Sequence, residues 1–312
     1  MSGIGFVFPG QGSQKQGMLL ELAHRYSLIL ETFAAASDVL GLDLWDIAQH
    51  NPEDQLNQTA ITQPVLLTAS VAIMRVWQEA GGARPAIVAG HSLGEYTALV
   101  SAEVLDFATA VKLVHERGKF MQSAVKDSDG KMAAIVGLES TRIIEICDEA
   151  SALGTVSAAN LNSPEQTVIA GEHKAVEKAM QLCKDAGAKR ALPLNVSVPS
   201  HCALMKPAAR QLQAVLESVG LHEPTIAVVP NATAEITTET AAIKQNLVKQ
   251  LDSPVRWVDC VRVMADTGVS HFVECGPGKV LCGLIRRIDP GLTVVTSDTL
   301  AAFESALTEL SN

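Results

Sequence analysis

Gly90-His91-Ser92-Leu93-Gly94 is the stretch whose residue types and spacing best suit covalent chemistry. An apolar run from Pro85 to Ala89 enters it, and a helix-like segment from Thr97 to Ala102 follows. Strand, Gly-x-Ser-x-Gly and helix in succession describe a nucleophile elbow. The glycines let the backbone turn sharply, so that Ser92 projects from the bend. The same turn leaves the Leu93 N–H unpaired at a helix N-terminus, where it can meet an oxyanion. A plain glycine-rich turn inside an α/β sheet has the same spelling, so Ser92 must also have partners.

A serine is a weak nucleophile until a base takes its proton. Among eight histidines, His201 in Ser197-Val198-Pro199-Ser200-His201-Cys202 is placed best. It falls where a small inserted unit should hand back to a larger one, and there it would line the cleft between them. His91 adjoins Ser92, but neighbours on a tight turn point apart, so its position reads as structural. His115 is a weaker candidate. His24, His50, His173 and His222 belong to polar faces or loops, and His271 to a strand interior. Cys202 reads as a small core residue rather than a second nucleophile.

A basic imidazole needs an acceptor on its other nitrogen. Several carboxylates lie between Ser92 and His201, none at a convincing strand end. Gln250 offers another solution, since the last carbonyls of a helix ending near Leu251 lack intrahelical partners. A neutral acceptor stabilises imidazolium less than a carboxylate does, and transfer from an activated thioester tolerates that. Arg117 shares one helical stripe with Ala110, Val114 and Met121. An arginine there is costly unless it faces an anion: either an internal Asp or Glu, or a substrate carboxylate held in a bidentate fork.

The elements that would position these groups alternate. Ile4–Phe8 reads as a buried strand running into Pro9-Gly10-Gln11-Gly12-Ser13-Gln14. This loop fails the dinucleotide fingerprint, with Lys15 where a third glycine belongs, and it lacks a Walker lysine. Helical periodicity runs from Met18 to about Gln49. It resumes from Gln63 to Glu79 with Pro64 in the first turn, and again from Phe107 to Ala124. The polar linker 126–130 then introduces β-α-β-β-α-β: Met132–Leu138, Thr141–Ala152, Val156–Leu161, Thr167–Ala170, Lys174–Ala186 and Arg190–Val196. That order is ferredoxin-like. The α/β pattern returns with helices over Pro207–Val219, Thr238–Leu251, Pro254–Met264 and Lys279–Ile288. Its strands are Ile226–Val229, Ser270–Glu274 and Leu292–Val295, and a last helix follows. The fold class is therefore α/β: a parallel-sheet domain from 1–126 and 199–312, interrupted by a smaller α+β domain at 127–198.

With 312 residues and 47 % apolar content, the chain can bury a sizeable core, built mostly from aliphatic side chains because aromatics make up only 4 %. A net charge of −10 argues against a nucleic-acid binder. Met1–Phe6 shows neither a basic start nor a long apolar stretch, and no run approaches ~18 apolar residues. Neither a signal peptide nor a membrane span is expected. Six cysteines without C-x-x-C pairs suit reduced thiols in a cytoplasmic protein. No stripe demands an obligate oligomer, so a monomer is expected. The pairs Lys189-Arg190 and Arg286-Arg287 stand out as solvated charge or as a rim for an acidic partner.

Pro9-Gly10-Gln11-Gly12-Ser13-Gln14, Gly90-His91-Ser92-Leu93-Gly94-Glu95-Tyr96, Arg117, Pro199-Ser200-His201, the Gln250 region and Gly276-Pro277-Gly278 share the order and spacing of one family. Over essentially its whole length the chain resembles the malonyl-CoA:acyl carrier protein transacylases of bacterial type II fatty acid synthesis. The resemblance implies a hydrolase-like domain interrupted by a ferredoxin-like one. It also implies ping-pong transfer of malonyl from malonyl-CoA to the phosphopantetheine thiol of acyl carrier protein, through a malonyl-serine. Ser92 would then be the nucleophile, His201 the base and the Gln250 carbonyl its orienter. The Gln11 and Leu93 N–H groups would form the oxyanion hole, and Arg117 would bind the malonyl carboxylate. No metal or resident cofactor is implied, coenzyme A entering only as the substrate thioester. Two other classes remain open: a serine hydrolase or thioesterase, which has no need of Arg117, and a non-catalytic scaffold for carrier proteins.

Overall fold

The computed structural model describes residues 3–125, 130–194 and 198–310. Its first part runs β1 (Ile4–Phe8), α1 (Leu20–Arg25), α2 (Ser27–Leu40), α3 (Leu44–His50), α4 (Thr59–Glu79), β2 (Ile87–Gly90), α5 (Gly94–Ser101) and α6 (Phe107–Ala124). A middle part contains β3 (Gly130–Val136), α7 (Ser140–Ala150), β4 (Val156–Ser163), β5 (Gln166–Glu172), α8 (His173–Asp185) and β6 (Arg190–Pro193). Next come α9 (Lys206–Ser218), β7 (Ala227–Val229), α10 (Thr240–Asp252), α11 (Trp257–Asp266), β8 (His271–Glu274), α12 (Val280–Ile288), β9 (Thr293–Thr296) and α13 (Leu300–Leu310).

Two sheets organise these elements. The larger has the order β7-β2-β1-β8-β9 and is parallel throughout. Strands buried on both faces must be apolar on both, and β1 shows it. Phe6 and Phe8 join the core formed with α2, α4 and α6, while Val7 packs with Trp257, Phe272 and Leu281 on the other side. The smaller sheet is antiparallel, with the order β4-β5-β3-β6. One face buries α7 and α8 through Ile135, Ile143 and Val176. The opposite face places Met132, Ala159, Val168 and Ala170 against Cys202. Beyond these contacts, Leu161 and Val255 join the two parts by backbone, Leu161 N–H donating to the Val255 carbonyl at 2.9 Å and Val255 N–H to the Ala159 carbonyl at 2.9 Å.

The α/β class and the β-α-β-β-α-β order appear as read from the sequence, with local corrections. The single helix expected over Met18–Gln49 is three helices, broken by extended Tyr26 and left-handed Gly41. Pro64 is not in a first turn, because α4 begins at Thr59. A proline inside a helix deprives the carbonyl four residues earlier of its donor. His115 supplies the replacement, its Nδ1–H donating to the Ala60 carbonyl at 2.7 Å, so this histidine is a structural group. Helix α4 holds no unbroken run of ~18 apolar residues, though by length and mean composition it is apolar enough to cross a membrane. Yet 94 % of its apolar window is buried inside the fold, as suits a core helix. Of the sequence-based readings, the linker at 126–129 and the last two residues of the strand expected over Arg190–Val196 lie outside the described residues.

Candidate active site

Ligands of open parallel sheets gather beyond the carboxyl ends of the strands, and here the chemistry-bearing groups do so. Gln11 follows β1, Ser92 follows β2 and Asn231 follows β7. The elbow between β2 and α5 is as tight as its glycines require. A Cβ on Gly90 would lie 1.8 Å from the Gly94 carbonyl carbon, and one on Gly94 would lie 2.1 Å from the Phe8 carbonyl oxygen. Ser92 itself adopts φ +53°, a strained left-handed conformation for a residue with a Cβ. That bend points its N–H downward to Asn231 Oδ1, at 2.7 Å, and its hydroxyl into the cleft.

His201, 3 % exposed and also left-handed at φ +62°, meets that hydroxyl. Its Nδ1 donates to the Gln250 main-chain carbonyl at 2.7 Å, which fixes the tautomer and leaves Nε2 as acceptor for the Ser92 Oγ–H, also at 2.7 Å. Gln250 belongs to the last turn of α10, where a carbonyl is free to accept. Burial, and after it the charge of Arg117, pushes the His201 pKa down to about 3, so the imidazole is neutral and ready to take a proton.

Arg117 reaches the same hydroxyl from α6. It is 1 % exposed, and one NH2 lies 3.3 Å from Ser92 Oγ. Its other bonds go to neutral amides: Gln63 Oε1 at 2.7 Å and Gln250 Oε1 at 2.9 Å. Among the described residues it forms no ion pair, and its Nε has no partner. The internal-carboxylate alternative therefore has no partner within ion-pair distance. Glu95 is the nearby acid and bonds elsewhere. The Leu93 and Gln11 main-chain N–H groups make no hydrogen bond among the described residues, and both residues line the cavity above Ser92. That cavity holds about 120 Å³ and is also lined by Met132, Asn160 and Leu194 of the smaller sheet region. A roomier groove of about 430 Å³ between α9 and α10 contains none of these groups.

Other sequence candidates lie elsewhere. His91 Nε2 donates to Asn162 Oδ1 on β4 at 2.8 Å, tying the elbow to the smaller sheet. Cys202 is 1 % exposed, and burial pushes its thiol up to about 11, too high for a resting thiolate. Lys189, Arg190, Arg286 and Arg287 are all exposed. Lys189 reaches Glu165 at 3.4 Å and Arg287 reaches Gln166 at 2.7 Å, so members of both pairs converge on the β4–β5 turn. Among the described residues no cluster of His, Cys, Asp and Glu could hold a metal ion. Gln63, Asn231 and the buried Glu95 were not singled out by the sequence. Only the place of Glu95 in the elbow motif could have hinted at it.

Comparison with known proteins fits this geometry. Residues 5–288 match the acyl transferase domain family. The malonyl CoA-acyl carrier protein transacylase of Escherichia coli K12 is 54 % identical over 307 residues, spanning 98 % of this chain and 99 % of its own length. The Bacillus subtilis protein of the same name is 43 % identical over 96 % of this chain and 94 % of its own length. Among solved structures, an acyl carrier protein S-malonyltransferase from Vibrio cholerae superposes with a TM-score of 0.95 at 53 % identity, covering 97 % of this chain and 99 % of that one. A malonyl-transacylase solved in complex with a type II PKS acyl-carrier protein gives 0.97 at 52 % identity, covering 99 % and 100 %. A serine–histidine pair beside a buried arginine that forms no ion pair among the described residues, on a scaffold shared from end to end with these proteins, places the chain in the malonyl CoA-acyl carrier protein transacylase family.

Proposed function

We propose that Ser92 carries a malonyl group from malonyl-CoA to the phosphopantetheine thiol of acyl carrier protein. The observation that carries this reading is Arg117: a buried guanidinium beside the nucleophile, held by neutral amides and short of an anion. In the first half-reaction, Ser92 Oγ attacks the thioester carbonyl while His201 Nε2 takes the hydroxyl proton. The Leu93 and Gln11 N–H groups face the oxyanion. Collapse expels the coenzyme A sulfur, which recovers the proton from His201. In the second half-reaction the carrier thiol gives its proton to His201 and attacks the acyl-serine, and Ser92 leaves reprotonated. A malonyl carboxylate at Arg117 also offsets the charge that depresses His201, so an acidic acyl group strengthens the base that processes it.

The supporting frame is read as a catalytic unit, 1–126 and 199–312, with 127–198 inserted as the far wall of the cleft. Lys189, Arg190, Arg286 and Arg287 serve as an exposed basic rim for the acidic carrier protein, and a cytoplasmic location suits six buried free cysteines. Intact-mass spectrometry after mixing with malonyl-CoA tests the reading. A gain of one malonyl unit is expected, absent in Ser92→Ala. Arg117→Ala should lower kcat/KM for malonyl-CoA by roughly 100-fold or more while improving relative use of acetyl-CoA. Equal losses on both substrates would remove Arg117 from the carboxylate role, activity on neutral acyl esters left largely intact would favour the hydrolase-like alternative, and no adduct at all would favour a scaffold.

A further inference from the structure

Beneath the elbow lies a carboxyl group that the transfer chemistry does not use. Glu95, in the first turn of α5, is 2 % exposed. Its Oε2 accepts two hydrogen bonds, from the Asn231 main-chain N–H at 2.9 Å and from Gln250 Nε2 at 2.8 Å. Each donor continues to a reacting group. Asn231 spans the elbow from below, its Oδ1 accepting from Ser92 N–H at 2.7 Å and its Nδ2 donating to the Gly90 carbonyl at 2.7 Å. Gln250 Nε2 also donates to the Ser92 carbonyl at 2.9 Å, and Gln250 Oε1 accepts from Arg117 at 2.9 Å. One oxygen thus closes a chain from the nucleophile's backbone to the guanidinium. Among the described residues Glu95 makes no ion pair, and a buried carboxyl group without one is expensive where an apolar side chain would pack. The polar chain is the compensating feature.

We propose that Glu95 is a positioning residue for malonyl transfer, setting the place of Arg117 relative to Ser92 by holding Asn231 and Gln250 on a single carboxyl oxygen. The inference rests on the reading of Arg117 as the malonyl carboxylate site. Positioning separates cleanly from charge. A carboxylate acting only through its charge would weaken the hold of Arg117 on an anionic acyl group, so neutralising it would raise malonyl preference. A positioning residue depends on reach instead. Glu95→Asp keeps a titratable carboxyl group and draws the oxygen back by about one C–C bond, ~1.5 Å. Glu95→Gln removes the titratable group and keeps an oxygen within reach of both donors.

The readout is the ratio of kcat/KM for malonyl-CoA to that for acetyl-CoA, measured on one preparation so that the folded fraction cancels. Glu95→Asp should lower that ratio roughly 10-fold, chiefly through KM for malonyl-CoA, and Glu95→Gln should keep it within roughly threefold of wild type. An unchanged ratio in Glu95→Asp, or a raised one in Glu95→Gln, overturns the positioning role. Wild-type enzyme that forms no malonyl adduct would instead remove the functional reading beneath it.

Discussion

The carboxyl edge of the larger sheet carries two glycine turns that lead from strand to helix, and they end differently. After β2, Gly90 and Gly94 flank the turn into α5. After β8, Gly276-Pro277-Gly278 leads into α12. Both turns have a glutamate within reach of a helix N-terminus, where orphan amides attract an acceptor. Glu274 closes its own turn, accepting from Leu281 N–H at 3.0 Å and Cys282 N–H at 2.7 Å. Glu95 faces away from its helix end and toward Asn231 and Gln250, which leaves the Leu93 N–H open to the cavity. A helix N-terminus becomes an anion site only when no side chain has already filled it. The two turns also use glycine differently. Gly90 and Gly94 are required by backbone crowding. In the second turn Gly276 is crowded by side chains instead, a Cβ there lying 2.5 Å from Pro9 Cδ and 2.6 Å from Ser70 Oγ, while Gly278 is required by its φ of +81°, since a Cβ there would come no closer than 3.5 Å to the Ser13 carbonyl oxygen.

That contrast can be broken by substitution. Gly94→Ala should have the largest effect, more than ~4 kcal/mol of unfolding free energy together with loss of the malonyl adduct, because backbone cannot give way as a side chain can. Chemical denaturation and intact mass measure both. Next comes the pH dependence of Glu95. Burial outweighs its hydrogen bonds and raises its pKa from 4.5 to about 7. Its contribution to stability is therefore complete below about pH 4.5 and is lost as pH rises through about 7. Relative to Glu95→Gln, wild type should lose at most about 3 kcal/mol across that window, and parallel stability curves for the two proteins would refute the buried-acid description. Glu274→Ala removes both helix-end bonds and should cost about 1–2 kcal/mol, with adduct formation per folded molecule retained. Loss of the adduct there would show that the two turns are not independent. Gly278→Ala should be mildest, about 1 kcal/mol by thermal unfolding, the cost of left-handed backbone alone.

Some of the site was legible because its causes are local. Glycine spacing around Ser92 dictates a sharp strand-to-helix turn whatever surrounds it. The stripe of Ala110, Val114, Arg117 and Met121 marks an arginine facing inward, since helical period alone decides the face. The free carbonyl at Gln250 follows from the end of α10 and nothing more distant. Pro64 shows the limit of such reasoning. A helix-breaking residue sits inside α4 because His115, on another helix, takes the carbonyl the proline abandons. Likewise, Tyr26 and Gly41 broke an apparently continuous amphipathic run, because apolar periodicity says which face is buried but not where the axis turns.

By itself, then, the sequence determined the order of strands and helices, the elbow and the inward arginine, all properties of neighbours a few residues apart. Only the tertiary structure decided how these parts act together. It brought His201 Nε2 to Ser92 across 109 positions and joined Glu95 to Asn231 across 136 and to Gln250 across 155. No periodicity encodes such pairs. Asparagine, glutamine and glutamate are ordinary surface residues by type. They became a buried bracing network because the sheet order β7-β2-β1 sets the end of one strand beside the end of another, where each buried polar atom needs a partner.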